Sequence, residues 1–319
     1  MRVSEQPEIV TVVAGPPAGI TGPTQNPFID DAYRNLSARR SARNRLVRAA
    51  SVRDLDLELG EILKPPFRGT VRLQIVGHSL SGTMSLGGFW LAERTYDYPF
   101  YVLDTTPMAL GLLAKYAGRF SEVMLVGCNI GSATSFGYAI NGRTLTYTLA
   151  ELLQCIVRGA DDIVSPDEFD AQGWYTPAPR SRRPKGWRWI PELPPVWIDP
   201  GTDDVPYQRA RTVVSFEVHA ITGTALPVPA FTPPIVLAPA VPLICTQLEG
   251  TRSPSARSEV TLETDHGPAD LLCGGRFLRL AGGYYLVDKH AQLAAMLAAQ
   301  LWKTAPVRPA ANRPAATAG

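Results

Sequence analysis

The chain of 319 residues carries 31 lysines and arginines against 29 aspartates and glutamates, a formal charge of +2. That balance excludes the strongly basic surface of a typical nucleic-acid binder, and four cysteines are too few for a disulfide-stapled scaffold. The length suits one large domain or two modest ones, and 27 glycines with 29 prolines predict long loops beside the core.

Met1–Pro7 leads straight into the short apolar run Ile9–Val13, without the basic-then-apolar pattern of a secretory leader, so a soluble cytoplasmic protein is expected. Ala220–Leu248 holds no charged residue and is long enough to cross a bilayer. It also contains Pro227, Pro229, Pro233, Pro234, Pro239 and Pro242, and each proline removes a helix donor and clashes with the preceding turn. Short strands are the better expectation there, and no membrane span.

In chain order, Ile9–Ala14 reads as a β-branched strand ended by Gly15-Pro16-Pro17. Charges interleaved with leucines predict helix through Ala32–Ala50 and again through Val52–Leu63, stopped by Pro65-Pro66. Val71–Val76 is a second strand and Gly82–Gly88 a tight hairpin. Thr106–Ala117 reads as a helix opened by Pro107 and closed by Gly118. Glu122–Gly127 is a third strand, Arg143–Val157 an amphipathic helix, and Ile163–Ser165 the start of a fourth strand. This alternation implies an α/β fold, a mainly parallel sheet with helices on both faces.

The composition changes at about residue 169. Residues 169–207 are rich in proline, carry the basic knot Arg180-Ser181-Arg182-Arg183 and include Trp174, Trp187, Trp189 and Trp197, which predicts a linker loop tied down by its tryptophans. Residues 208–303 read as a β-rich region, with strands at Thr212–Val218, Ile235–Leu237, Leu243–Leu248, Glu259–Glu263, Arg276–Leu280 and Tyr284–Val287, then a final helix His290–Trp302. An Ala- and Pro-rich tail, 304–319, is expected to be disordered. Residues 1–168 are the expected α/β domain.

In an open α/β sheet, reactive groups gather at the carboxyl ends of the strands. His78 follows the strand Val71–Val76, and Cys128 follows Glu122–Gly127 within Gly127-Cys128-Asn129-Ile130-Gly131. A thiolate is a strong nucleophile once a histidine or a dipole lowers its pKa, whereas a strand-end cysteine left alone is more often a small core hydrophobe. Cys155, Cys245 and Cys273 sit in apolar patterns and read as core. His266, in Thr264-Asp265-His266-Gly267, reads as a loop residue. No Cys-x-x-Cys, His-Glu-x-x-His or phosphate-binding Gly-x-x-x-x-Gly-Lys pattern occurs, so no metal or cofactor is expected.

The segments Ile75-Val76-Gly77-His78-Ser79-Leu80-Ser81-Gly82 and Met124-Leu125-Val126-Gly127-Cys128-Asn129-Ile130-Gly131 resemble bacterial caspase-like cysteine peptidases of the CHAT and clan CD type. His78 and Cys128 are 50 residues apart, similar to the caspase spacing. The resemblance covers residues 8–170. It implies a caspase-like domain, an endopeptidase acting on a protein substrate, and His78 and Cys128 as a catalytic dyad. Backbone amides of Ser79 and Cys128 are then the expected oxyanion hole, with Asp161 and Asp162 as a weaker candidate for a pocket taking a basic side chain. A regulatory protein partner is compatible with it. Two departures stand out: the family usually has glycine where this chain has Ser79, and Val-Gly-Cys-Asn-Ile-Gly replaces the caspase Gln-Ala-Cys-Arg-Gly.

Two other readings compete. One is a catalytically inactive interaction or scaffold module of the same fold. The other is a serine esterase, since Gly77-His78-Ser79-Leu80-Ser81 approaches the Gly-x-Ser-x-Gly nucleophile elbow, with Ser81 failing the last position.

Overall fold

The computed structural model describes residues 8–16, 24, 26–39, 41, 43–80, 82–87, 102–104, 107–132, 142–160, 163–176, 208–224, 233–249, 260–272, 277–281 and 283–304. Asp161 and Asp162, the basic knot, Trp187, Trp189, Trp197 and Cys273 lie outside them.

Five parallel strands form the first sheet: β1 (Ile9–Ala14), β2 (Asn44–Ala49), β3 (Val71–Val76), β7 (Phe120–Val126) and β8 (Ile156–Gly159), in the order β2-β1-β3-β7-β8. Between β3 and β7 runs a small antiparallel sheet of β4 (His78–Leu80), β5 (Thr83–Ser85) and β6 (Val102–Leu103). All six residues of β1 are buried, as expected for a parallel strand covered on both faces. The sheet side chains divide by alternation. Val10, Val12, Leu73, Ile75, Val123 and Leu125 meet α2 (Val52–Leu63), α3 (Pro107–Leu113) and α4 (Gly142–Leu153). Ile9, Val13, Val76, Met124 and Val126 meet α1 (Pro27–Ser37) and the side chains of Ala160, Val164, Phe169, Trp174 and Tyr175. The expected α/β architecture, a parallel sheet flanked by helices and followed by a β-rich region, is the one observed.

Local chemistry sets the helix ends. The Asn26 side chain accepts from the amides of Phe28 and Ile29 before Pro27 at the first helical position. Ser51 accepts from the amide of Asp54, whose carboxylate accepts from the amide of Ala50, closing the start of α2.

Several expectations are corrected. Ala32–Ala50 is not one helix: α1 ends at Ser37, and Asn44–Ala49 is the edge strand β2, paired in register with β1. Its polar residues belong to an edge that needs only one buried face. The helix expected to reach Val157 stops at Leu153, where Gln154 takes a left-handed φ of 55°. The fourth strand after it is Ile156–Gly159 rather than Ile163–Ser165. Residues 169–176, expected to begin the linker, instead pack into the core through Phe169, Trp174 and Tyr175.

The β-rich region closes into a six-stranded antiparallel barrel, order β10-β14-β13-β12-β11-β9. Its strands are β9 (Gln208–Thr224), β10 (Ile235–Glu249), β11 (Val260–Thr264), β12 (Gly267–Leu272), β13 (Phe277–Leu280) and β14 (Gly283–Val287). The two strands expected at Ile235–Leu237 and Leu243–Leu248 are one strand, with one of its two register shifts between Val236 and Val241 around Pro239. Proline has no ladder donor, so a break in register is where a strand tolerates it. β12 was hidden by Pro268 and by the two-residue turn Asp265-His266, which joins the pair Thr264 and Gly267. The charge-free stretch Ala220–Leu248 thus falls mainly in β9 and β10, and among the described residues no helix is long and apolar enough to cross a membrane.

Helix α5 (His290–Thr304) ties the barrel to the α/β layers. Leu293, Leu297 and Leu301, spaced by four, join the barrel core. Ala294 and Ala298 meet Gly111 of α3 so closely that a Cβ there would stand 2.2 Å from the Ala294 carbonyl oxygen.

Candidate active site

β3 and β7 are neighbours in register, Val76 opposite Val126, so the residues that follow them emerge together at the carboxyl edge of the sheet. A seam of three hydrogen bonds then joins the two exits. Gly77 N–H donates to the Val126 carbonyl at 3.1 Å, Ser79 Oγ to the Cys128 carbonyl at 2.7 Å, and Gly82 N–H to the Ile130 carbonyl at 3.0 Å. Alternate carbonyls of the turn after β7 therefore face the hairpin after β3. The seam brings His78, on the first residue of β4, beside the turn that carries Cys128.

The close approach depends on two glycines. A Cβ on Gly127 would stand 2.2 Å from Ser79 Oγ and 2.8 Å from the Gly77 carbonyl oxygen. A Cβ on Gly77 would stand 2.6 Å from the Ser85 carbonyl oxygen. A side chain at Gly127 would force the two exits apart, and one at Gly77 would push β5 away. Beyond the cysteine, Asn129 holds φ at 57°, a left-handed conformation that asparagine tolerates better than most residues.

His78 and Cys128 are both half-buried, whereas Ser79 is only 2% exposed. Burial holds the His78 imidazole below its ordinary value, which favours the neutral form able to accept a proton. Cys128 packs against the cluster of Val13, Val76, Val126, Val164 and Tyr175. The Tyr175 phenol is pushed well above the usual tyrosine range, first by burial, with a smaller electrostatic contribution from Cys128. Its hydroxyl donates to Glu168 at 2.6 Å and accepts from Ser165 N–H at 3.4 Å.

The other two cysteines among the described residues are unsuited to nucleophilic work. Burial pushes the Cys155 and Cys245 thiols up to about 12. Cys155 lies in the turn between α4 and β8 rather than on a helix face, and Cys245 lies inside the barrel. His266 sits in an exposed turn, edge-on to Phe216. No cluster of three metal-ligating side chains occurs among the described residues.

The geometry tells against the serine nucleophile. An elbow requires a strand followed by a helix, with its hydroxyl exposed at the turn. Here Ser79 lies within the β4–β5 hairpin, its hydroxyl buried and its proton given to the Cys128 carbonyl.

Sequence reasoning missed Tyr175 and the residue that holds it, Gln74. The signal for Gln74 was present as the one uncharged polar residue within Val71–Val76; for Tyr175 there was none.

No protein-family profile and no curated protein matches the chain significantly. Among solved structures, the chain is similar to an inactive zymogen of a C11 protease from Parabacteroides distasonis, with a TM-score of 0.33 and 12% identity. The likeness covers 54% of this chain and 53% of that one, so it spans about half the length of that protein.

Proposed function

We propose that the chain is a caspase-like cysteine endopeptidase of the CHAT type, with Cys128 as nucleophile and His78 as its acid–base partner. The observation that supports this reading is the three-bond seam, which draws together the exits of two adjacent parallel strands, each carrying one of the two groups. In this mechanism Cys128 Sγ bonds to the scissile carbonyl carbon as the carbonyl π electrons move onto oxygen. The thiol proton passes to His78 and from there to the leaving amine as the C–N bond breaks. Amides of Ser79 and Cys128 hold the oxyanion, water hydrolyses the thioester, and the thiol is restored. The substrate is a protein chain, and the chemistry needs no cofactor. Asp161 and Asp162 remain proposed contacts for a basic substrate side chain.

The test is a peptide bearing a thiol-reactive trap. Wild-type protein should be labelled on Cys128, with labelling lost in the folded variant His78→Ala, because an unassisted thiol is only a few per cent ionised at neutral pH. Folded wild-type protein that leaves Cys128 unlabelled points instead to an inactive interaction module.

A further inference from the structure

Ser79 stands where the resembled family carries glycine, and its side chain makes a contact that glycine has no atom to make. The first and third bonds of the seam are between backbone groups; the middle one is the Ser79 hydroxyl on the Cys128 carbonyl. The hydroxyl fills the space above Gly127, where a Cβ would lie 2.2 Å from Oγ and 2.9 Å from the Ser79 Cβ. Serine at 79 and glycine at 127 therefore fit as a pair. A planar trans peptide sets its C=O and N–H in opposite directions, so tying the Cys128 carbonyl to Ser79 turns the Asn129 N–H away from the hairpin. The left-handed Asn129 fixes the chain immediately beyond.

We propose that the Ser79 hydroxyl is a positioning residue, a latch on the Cys128–Asn129 peptide that fixes the direction in which the Cys128 thiol leaves the backbone. It touches no substrate. The proposal rests on the reading of Cys128 as the reactive thiol, and it adds a function to a side chain from which that reading asks only a backbone amide. Tyr175 on the opposing segment interacts electrostatically with Cys128, and the seam sets His78 of β4 at the adjoining strand exit; the latch governs how the thiol is presented to them.

The experiment measures iodoacetamide alkylation of each cysteine by mass spectrometry in wild type, Ser79→Ala and Ser79→Gly, at pH 7 and pH 10. Without the latch, Cys128 alkylation at pH 7 should slow by about five-fold, the equivalent of one ordinary hydrogen bond, and the rates should converge at pH 10 where the thiol ionises unaided. Cys155 and Cys245 should stay as slow as in wild type, which certifies the fold. Unchanged Cys128 rates in folded variants overturn the proposal. So does faster labelling of Cys245 in both variants, which would make Ser79 a support for the fold alone. Failure of the peptidase reading looks different: wild type would ignore the peptide trap while Ser79→Ala still altered Cys128 alkylation.

Discussion

The backbone N–H of Tyr175 donates to the side-chain carbonyl of Gln74 at 2.9 Å, across 101 positions of sequence. The Gln74 amide nitrogen donates in turn to Thr11 Oγ1 at 2.7 Å and to the Gly173 carbonyl at 2.5 Å. On the next strand out, Asn44 Nδ2 donates to the Gln172 carbonyl at 2.8 Å. Asn44, Thr11 and Gln74 thus form a polar row across β2, β1 and β3, and residues 172–175 are fastened over it. Three buried polar side chains on a parallel sheet would be costly if unpaired; here they hold in place the segment that packs Tyr175 against Cys128.

Replacing Gln74 with leucine keeps the volume but takes the side-chain partner from the Tyr175 amide and the Gly173 carbonyl, and leaves the Thr11 hydroxyl only its bond to Asn44 Oδ1. A buried group so deprived costs about 1–3 kcal/mol. Gln74→Leu should therefore lose about 2–4 kcal/mol in urea unfolding and speed hydrogen exchange at Tyr175, with the five-stranded sheet intact. Wild-type stability in this variant would show that the row carries no energy.

A second prediction concerns the contact between α3 and α5. Gly111 leaves no room for a side chain, since its Cβ would overlap the Ala294 carbonyl oxygen and stand 2.5 Å from the Ala298 Cβ. Gly111→Leu should separate the two helices at a cost of about 3 kcal/mol, at the upper end of overpacking penalties. Because α5 also packs on the barrel, limited proteolysis should first cut near His290–Thr304. A cleavage pattern identical to wild type would argue against α5 as the tie.

Much of this was legible in sequence where one local rule dominated. Ile9–Ala14, Val52–Leu63 and Val71–Val76 are observed within the expected bounds, because runs of mainly β-branched and apolar residues and a capping serine leave little choice. β2 and β8 are edge strands of six and four residues whose mixed composition suits a helix end equally well, and only pairing with β1 and β7 decides them. For the site, strand ends pointed to His78 and Cys128. The Ser79 bond was not foreseeable, since the sequence records only a departure from His-Gly and says nothing of how the hydroxyl fills the space over Gly127.

The pH dependence of stability follows from shifts of opposite sign, His78 on the acid side and Cys155, Cys245, Tyr116 and Tyr175 on the alkaline side. His78 is held below its ordinary value of 6.5, so below about pH 6.5 the unfolded chain takes up a proton that the folded state declines. Its contribution is complete above that pH and is lost as the pH falls. Cys245 is raised from 9.0 to about 12, so the unfolded chain ionises first and stability falls as pH rises from about 9 toward 12. Urea midpoints between pH 5 and 10.5 should trace a dome. His78→Gln should flatten its acid limb, and Cys245→Ala should lessen its alkaline limb below a lower maximum, with Cys155, Tyr116 and Tyr175 carrying the rest. An acid limb of unchanged slope in His78→Gln would assign it to other groups.

The last prediction separates the possible nucleophiles by substitution. If Cys128 attacks, Cys128→Ala should abolish peptide cleavage, because loss of a nucleophile costs several orders of magnitude, far beyond any packing effect. His78→Ala should fall comparably, for want of a group to take the thiol proton. Ser79→Ala should keep a sizeable fraction, reduced by about the five-fold worth of its hydrogen bond, since the oxyanion asks only for its backbone amide. A serine mechanism reverses the order, with Ser79→Ala inactive and Cys128→Ala near normal. Circular dichroism must first show each variant folded, because Ser79 is buried and Cys128 half-buried. The decisive number is the ratio of kcat/KM between Ser79→Ala and Cys128→Ala. A ratio above about a hundred fits a thiol nucleophile with a serine latch. A ratio near one, with all three variants as active as wild type, would remove both hydrolytic mechanisms, because the cleavage would then depend on neither side chain; a folded wild type that cuts nothing would leave a fold that binds without cutting.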